Sequence, residues 1–252
     1  MTKTILITGG TGKLGAQFVK HFMNKNFNVI FTSLKQSEID ALLKNEILNN
    51  KKTLGIEIDL EKKDLASNIL NFLTKKKLFP NILVNCARSL AYLKINNDGI
   101  TQRDHWLGEF TLDTIVPYEL SMALAKHPKS KLENIINISS MYGIVPANPN
   151  LYKNPEQESP IQYGVCKAAQ IHLTKELAIR LAPKNIKVNS ISFGGVEGRV
   201  DSAFKKRYSK LCPLGKMLQE KEVIGAIDFL TSENANYITG HNLVVDGGWT
   251  IW

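Results

Sequence analysis

The sequence predicts an α/β fold, one domain built on a doubly wound parallel sheet of seven strands with helices on both faces. Three observations predict it. Short β-branched runs alternate along the whole chain with longer stretches of helical period. A glycine-rich turn joins the first candidate strand to the first candidate helix. The residues most able to do chemistry fall at the carboxyl ends of candidate strands, where sheets of this kind bind their ligands.

The candidate strands, in order, are Lys3–Thr8, Asn28–Thr32, Leu54–Ile58, Asn81–Cys86, Asn134–Ser139, Ile186–Ser192 and Asn242–Val245. Parallel strands are buried on both faces, so they read as short apolar runs rather than strict alternation. Between the first two, Leu14, Phe18, Val19, Phe22 and Met23 fall on one helix face. Further helices are predicted over Ser37–Asn49, Lys62–Lys76, Gln102–Lys126, Gln162–Ala182 and Glu220–Thr231. Two stretches break the alternation. Ile144–Pro160 holds four prolines and no clear period, which makes it an irregular insertion rather than a second domain. Gly194–Gly215 is rich in glycine and basic residues and reads as a mobile loop with a short helix, a substrate lid. A single domain over residues 1–252 accommodates both.

Composition narrows the function classes. The 252 residues are 43% hydrophobic and 22% charged, ordinary for a globular enzyme-sized domain. Ile5-Leu6-Ile7 ends at once in Thr8-Gly9-Gly10, unlike a signal peptide, and no apolar run is long enough for a bilayer. Cys86, Cys166 and Cys212 are too scattered for a disulfide framework or a zinc site, and the histidines lack ligand spacing. A cytoplasmic, metal-free protein without a membrane partner is expected. The net charge of +9 comes without basic runs interleaved with aromatics, so nucleic acid is not the expected partner, while a phosphorylated small substrate is compatible.

Thr8-Gly9-Gly10-Thr11-Gly12-Lys13-Leu14-Gly15 sits where a strand turns into a helix. Glycines there let a pyrophosphate approach the backbone and the free N–H groups of the helix N-terminus. Gly9, Thr11, Gly12, Lys13, Leu14 and Gly15 are therefore candidate dinucleotide-binding residues. An acid at the end of the second strand would bind the ribose hydroxyls of NAD. The stretch here is Phe31-Thr32-Ser33-Leu34-Lys35, without an acid. Ser33 and Lys35, with Lys13 adding charge, could receive a 2′-phosphate, which favours NADP over NAD. Asp59, followed by Leu60 at the end of the third strand, is placed equally well to meet an adenine amino group or to cap the next helix.

Tyr163-Gly164-Val165-Cys166-Lys167 opens a long helix and puts phenol and ammonium on one face, a turn apart. A phenol titrates near pH 10, and a neighbouring ammonium favours the phenolate, bringing Tyr163 toward useful acid/base strength. Ser140 lies at the carboxyl end of the fifth strand, where its hydroxyl can hydrogen-bond a substrate carbonyl.

With these residues the chain resembles the short-chain dehydrogenase/reductases over nearly its full length. Thr8–Gly15 is similar to the family's glycine motif, and Ser140 with Tyr163-x-x-x-Lys167 matches its catalytic serine and Tyr/Lys pair. Asn85-Cys86-Ala87 resembles the stretch beside the adenosine, with Cys86 and Arg88 as departures. Asn189–Val196 resembles the segment that holds the nicotinamide amide through Gly194 and Val196, and Ile238-Thr239-Gly240 and Val245–Gly248 match the C-terminal strand region. The resemblance implies a Rossmann-like fold, hydride exchange between NADP or NAD and a carbinol or carbonyl, Tyr163 as proton shuttle, Lys167 lowering its pKa and holding the ribose, and Ser140 orienting the substrate oxygen. It also implies a homodimer or homotetramer, which could cover the apolar tail Trp249–Trp252, and burial of that tail against its own fold is equally consistent. The family's usual asparagine in the central helix falls on Asp113, a departure in the proton relay. The long Ser140–Tyr163 interval resembles a branch acting on sugars, sugar phosphates or nucleotide sugars in bacterial surface-polysaccharide and flagellin-glycan pathways, including legionaminic-type acids. An anionic sugar would suit Arg88, Arg103, Arg199 and Lys205-Lys206-Arg207. Alternative readings are a 3-oxoacyl-carrier-protein reductase and a catalytically silent dinucleotide sensor.

Overall fold

The computed structural model describes residues 2–45, 53–198 and 200–252. Among the described residues, β1 (Thr4–Ile7), β2 (Asn28–Ser33), β3 (Thr53–Glu57), β4 (Ile82–Asn85), β5 (Asn134–Ser140), β6 (Lys187–Phe193) and β7 (Asn242–Val245) form one sheet. Its order is β3-β2-β1-β4-β5-β6-β7, and every neighbouring pair is parallel. The chain winds outward one way from β1 and the other way from β4. The crevice for ligands therefore opens above the β1–β4 border.

The connecting helices are α1 (Lys13–Asn24), α2 (Gln36–Asn45), α3 (Leu65–Lys76), α4 (Arg103–Phe110), α5 (Val116–Lys126), α6 (Pro155–Glu158), α7 (Ile161–Leu181), α8 (Ser202–Leu211) and α9 (Ile224–Thr231). Period-two alternation divides the strand side chains between two cores. Leu6, Ile30, Leu83, Ile135 and Val188 meet α3, α5 and α7 on one face. Ile5, Ile7, Val29, Phe31, Ile136 and Ile191 meet α1, α2 and α9 on the other. No helix among the described residues is long and apolar enough to cross a membrane.

Three predicted helices need correction. Gln102–Lys126 is not one α-helix: α4 and α5 are separated by a wide π turn over Thr111–Ile115, with Asp113 at its centre. Pro117 is the cause in the sequence, because it has no N–H to return to the carbonyl of Asp113 four residues back and its ring crowds that oxygen. Glu220–Thr231 begins as a 3-10 turn over Glu220–Val223 before α9. The segment predicted from Lys62 becomes helical only at Leu65. The Ser37–Asn49 helix is present as α2, and its last predicted residues lie outside the described ones. Ile144–Pro160 carries a 3-10 turn over Pro149–Leu151 and the short α6. Residues 194–215 contain α8, capped by the carboxylate of Asp201, which accepts from the Phe204 amide at 2.7 Å.

Candidate active site

The turn between β1 and α1 is shaped for close backbone approach. Gly9 has φ of +65°, and a Cβ there would lie 2.7 Å from the Cα of Ala87; a Cβ on Gly15 would overlap the Gly9 carbonyl. Thr8 Oγ1 accepts from the amides of Cys86 and Ala87 at 3.0 and 3.1 Å, drawing the loop after β4 against the turn. Gly12 caps α1 without a side-chain bond, so the helix N-terminus keeps its dipole and amides for an anion. Thr11 and Gly12 line this cradle, whereas Leu14 packs into the core beneath it. These residues fit the diphosphate of a dinucleotide. Lys13 does not turn toward Ser33. Its ammonium donates to the carbonyls of Val196 (2.9 Å) and Glu197 and lies 3.9 Å from Glu220.

At the end of β2 the structure supplies the acid that the strand itself lacks. Ser33 Oγ and Thr11 Oγ1 donate to the Glu38 carboxylate at 2.7 and 2.9 Å, and the two hydroxyls lie 2.7 Å apart. The bond from Ser33, then that from Thr11, hold the Glu38 carboxyl below its ordinary range, with Lys35 adding to the effect. Sequence reading confined to the strand end missed Glu38, which returns from the first turn of α2; an acid five residues beyond Ser33 was the available signal. Asp59 does not cap α3. Its Oδ1 accepts from the Glu61 amide at 3.0 Å and closes a turn ahead of the helix, while Leu60 is buried in the core. Cys86, half-buried in the loop after β4, has its thiol pushed up to about 12 by desolvation against the pull of Lys167.

Ser140, Tyr163 and Lys167 are brought together by the packing of α7 on β5. Ser139 Oγ donates to the Lys167 carbonyl at 3.0 Å. Beyond Ser140 the chain turns over Met141–Gly143 and presses on α7: a Cβ on Gly143 would lie 2.8 Å from the Lys167 carbonyl carbon. Ser140 Oγ accepts from the Tyr142 amide at 3.2 Å. Tyr163 is half-buried, and the Lys167 ammonium lies 5.8 Å from its ring centroid. Arg88 stacks on the same ring at 4.5 Å.

Lys167 is buried and donates to Asp113 Oδ1 at 2.7 Å and the Ile138 carbonyl at 2.9 Å. Burial works against its charge most strongly, but Asp113 and Tyr163 together outweigh it and the ammonium sits above its ordinary range. Burial raises the Asp113 carboxyl, and Lys167 opposes the rise. Asp113 thus meets the lysine directly, as an ion pair. A second acid stands behind it. Glu109 is 1% exposed, and burial, followed by Asp113, pushes its carboxyl up to about 7. Sequence reading missed Glu109 because an acid in a helix is ordinarily a solvated one. A buried polar chain continues inward, with Asn85 Nδ2 donating to Asn137 Oδ1 at 2.8 Å and Asn137 Nδ2 to Thr174 Oγ1 at 2.9 Å.

Beside Met141, Leu151 of the insertion packs with Tyr208, Cys212 and Met217 in one apolar cluster that also holds Trp249. Gly194 donates to the Val245 carbonyl, and the amide of Gly195 donates to Tyr208 Oη, both at 2.9 Å. Val196 bridges to Leu218. Tyr208 is buried and stacked on Trp249, centroids 4.5 Å apart. The apolar tail is therefore divided, with Trp249 buried in its own subunit and Ile251 and Trp252 exposed. Of the basic residues near this segment, Lys205 pairs with Glu197 and Arg207 Nε donates to the Leu151 carbonyl at 2.7 Å, so both have internal roles. Lys206 and Arg103 are exposed, and Arg199 lies outside the described residues. A cleft of about 760 Å³ lies behind the Tyr142–Gly143 turn, lined by Pro146, Glu156, Gly164 and Val165, adjacent to Ser140 and Tyr163 but not containing them.

Residues 12–250 match a family profile described as enoyl-(acyl carrier protein) reductase. The post-translational flagellin modification protein A of Campylobacter coli is 28% identical over 98% of both chains. A short-chain dehydrogenase from Leptospira borgpetersenii, solved with bound NAD+, is 29% identical, covers 99% of this chain and 93% of its own, and superposes with a TM-score of 0.85. ElxO, solved with NADP, is 27% identical over 100% of both chains at the same TM-score.

Proposed function

Because the chain belongs to the short-chain dehydrogenase/reductase family and is an NAD(P)-dependent oxidoreductase, we propose that it interconverts a carbinol and a carbonyl on an anionic sugar, sugar phosphate or nucleotide sugar in bacterial surface-glycan or flagellin-glycan synthesis. The observation that carries this reading is the cation pair on the Tyr163 ring, Arg88 stacked at 4.5 Å and the Lys167 ammonium 5.8 Å from its centroid. The likeness to a flagellin modification protein supports the pathway class.

Bound nicotinamide would supply or accept the hydride. Tyr163 gives or takes the proton at the reacting oxygen, Lys167 keeps a positive charge beside that phenol, and Ser140 holds the same oxygen. Arg88 is the cation available to a phosphate or carboxylate on the substrate. Gly9, Thr11, Gly12 and Gly15 would hold the diphosphate. Asn85, Cys86 and Ala87 would flank the adenosine, with Gly194 and Val196 at the nicotinamide end and residues 194–215 as the lid. Glu38 moves the choice of dinucleotide from NADP toward NAD. A carboxylate already accepting from Ser33 and Thr11 binds ribose hydroxyls and repels a 2′-phosphate, leaving Lys35 as the group favouring phosphate. A homodimer or homotetramer is supported by the exposed apolar residues Leu107, Phe110 and Tyr118 along α4 and α5 and by Ile161, Val165 and Ile179 on α7.

The test is absorbance of the reduced nicotinamide during incubation with neutral hexoses, hexose phosphates, nucleotide sugars and an acetoacetyl-carrier thioester, using both dinucleotides. Turnover of phosphorylated sugars, abolished by Tyr163→Phe while dinucleotide still binds, is the expected result. Turnover of the thioester alone would return the chain to fatty-acid chemistry. Lys205 and Arg207, which would dock an acidic carrier, are instead engaged within the subunit.

A further inference from the structure

Lys13 has a place in the molecule that neither the diphosphate cradle nor the proton transfer accounts for. It is the first residue of α1, where a cation works against the helix dipole. Its ammonium is turned instead to a segment that begins 183 residues further along the chain. It donates to the Val196 carbonyl at 2.9 Å and to the Glu197 carbonyl, and lies 3.9 Å from Glu220 Oε1. Gln17, one turn along α1, donates to the other oxygen of Glu220 at 2.9 Å. The Lys13 side chain is 17% exposed, so these bonds are largely shielded from water and the stronger for it. Neighbouring carbonyls of an extended chain point to opposite sides. Two that converge on one ammonium need a bent backbone, and the bend runs on into Gly198. Its φ is +126°, and a Cβ there would lie 3.2 Å from the Lys13 ammonium.

We propose that Lys13 straps residues 194–197 to the start of α1, so that the segment meeting the nicotinamide is set in place before a dinucleotide arrives. The proposal rests on the oxidoreductase reading, in which Gly194 and Val196 stand at the nicotinamide end. On one side the segment is fixed by Leu218. The Glu197 amide donates to the Leu218 carbonyl at 2.8 Å, and the Leu218 amide donates to the Gly195 carbonyl at 3.0 Å. Lys13 supplies the attachment on the α1 side. A segment held from both sides has less freedom to lose when its ligand docks, and preorganisation of this kind raises affinity. The gain falls on one half of the dinucleotide. The diphosphate would meet the glycine turn and the open amides of the α1 N-terminus, which do not depend on the Lys13 ammonium. The nicotinamide would meet the strapped segment. Lys13 acts through the backbone of Val196 and Glu197, so it is a positioning residue.

The experiment measures, by calorimetry on the full chain, the affinities for NADH and for ADP-ribose, which lacks only the nicotinamide. Wild type is compared with Lys13→Met and Lys13→Arg. Methionine keeps an apolar stem and removes the cation, whereas arginine keeps a cation with several donors for the two carbonyls. Lys13→Met should weaken NADH about tenfold and leave ADP-ribose within about twofold of wild type. Lys13→Arg should bring NADH back to within about threefold. Hydrogen exchange without dinucleotide gives an independent reading. In Lys13→Met the amides of Glu197 and Leu218 should exchange about tenfold faster, while those of β5 keep their protection. ADP-ribose weakened as much as NADH would make Lys13 a ligand of the diphosphate and overturn the strap. Unchanged exchange at residues 197 and 218 would overturn it too, as would loss of protection in β5, which would give Lys13 a role in the whole fold. A wild-type chain that binds neither ADP-ribose nor NADH refutes the dinucleotide reading itself, and the strap with it.

Discussion

Replacing Lys167 by Met tests whether the lysine is the partner on which Asp113 depends. The substitution keeps most of the apolar stem and removes the ammonium, leaving a carboxyl that is 1% exposed without its cation. Removing one member of a buried pair costs about 3–5 kcal/mol, a large share of the roughly 5–15 kcal/mol that holds a domain folded. The loss depends on pH. Without Lys167, burial raises the Asp113 carboxyl further, so its folded-state value lies above its unfolded one. The variant then keeps its stability at acidic pH, where Asp113 is protonated in both states, and loses it as pH rises through the folded-state value. Each pH unit in that window is worth about 1.4 kcal/mol. Urea unfolding followed by circular dichroism at about pH 5 and pH 8 should show a modest deficit at the lower value and the full one at the higher. Adding Asp113→Asn to the variant should restore most of the difference. A deficit under about 1 kcal/mol at the higher pH, or one equal at both pH values and untouched by Asp113→Asn, would refute the account of the pair.

Two further outcomes follow from the same geometry. Gly143→Ala places a Cβ 2.8 Å from the Lys167 carbonyl carbon and 2.9 Å from Ile171 Cδ1, forcing the Ser140 turn off α7. It should destabilise by about 1–3 kcal/mol and lower kcat by more than tenfold, read from denaturation curves and initial rates. Glu38→Gln removes the charge at Ser33 and Thr11, so NADPH should bind about tenfold tighter and NADH within about threefold of wild type. Fluorescence titration with each dinucleotide measures both, and an unchanged ratio would remove Glu38 from cofactor choice.

The layering of the fold was legible because it depends on local pattern. Apolar runs, helical periodicity and the glycines of residues 9–15 placed all seven strands and most helices within a few residues of their observed ends. Tyr163 and Lys167 were legible for a similar reason: four residues apart in a helix is a fixed geometry in any fold. The predicted single helix over Gln102–Lys126 failed at Pro117, whose missing N–H was visible in the sequence and whose consequence, the π turn at Asp113, was not drawn from it.

Contacts between distant segments were decided only in the folded chain. Glu38 meets Thr11, 27 residues away, once α2 lies beside the glycine turn, and Lys13 meets the carbonyls of residues 196 and 197 once the segment after β6 comes back to the start of α1. Glu109 becomes an acid held near neutrality only once α4, α7 and the loop after β4 exclude water around it together. By itself the sequence determined the backbone frame and the identity of the proton-transfer pair, since both follow from residue spacing along one strand or helix. The electrostatic environment of that pair belongs to the tertiary structure, because burial and through-space charge are properties of groups that the chain brings together from far apart.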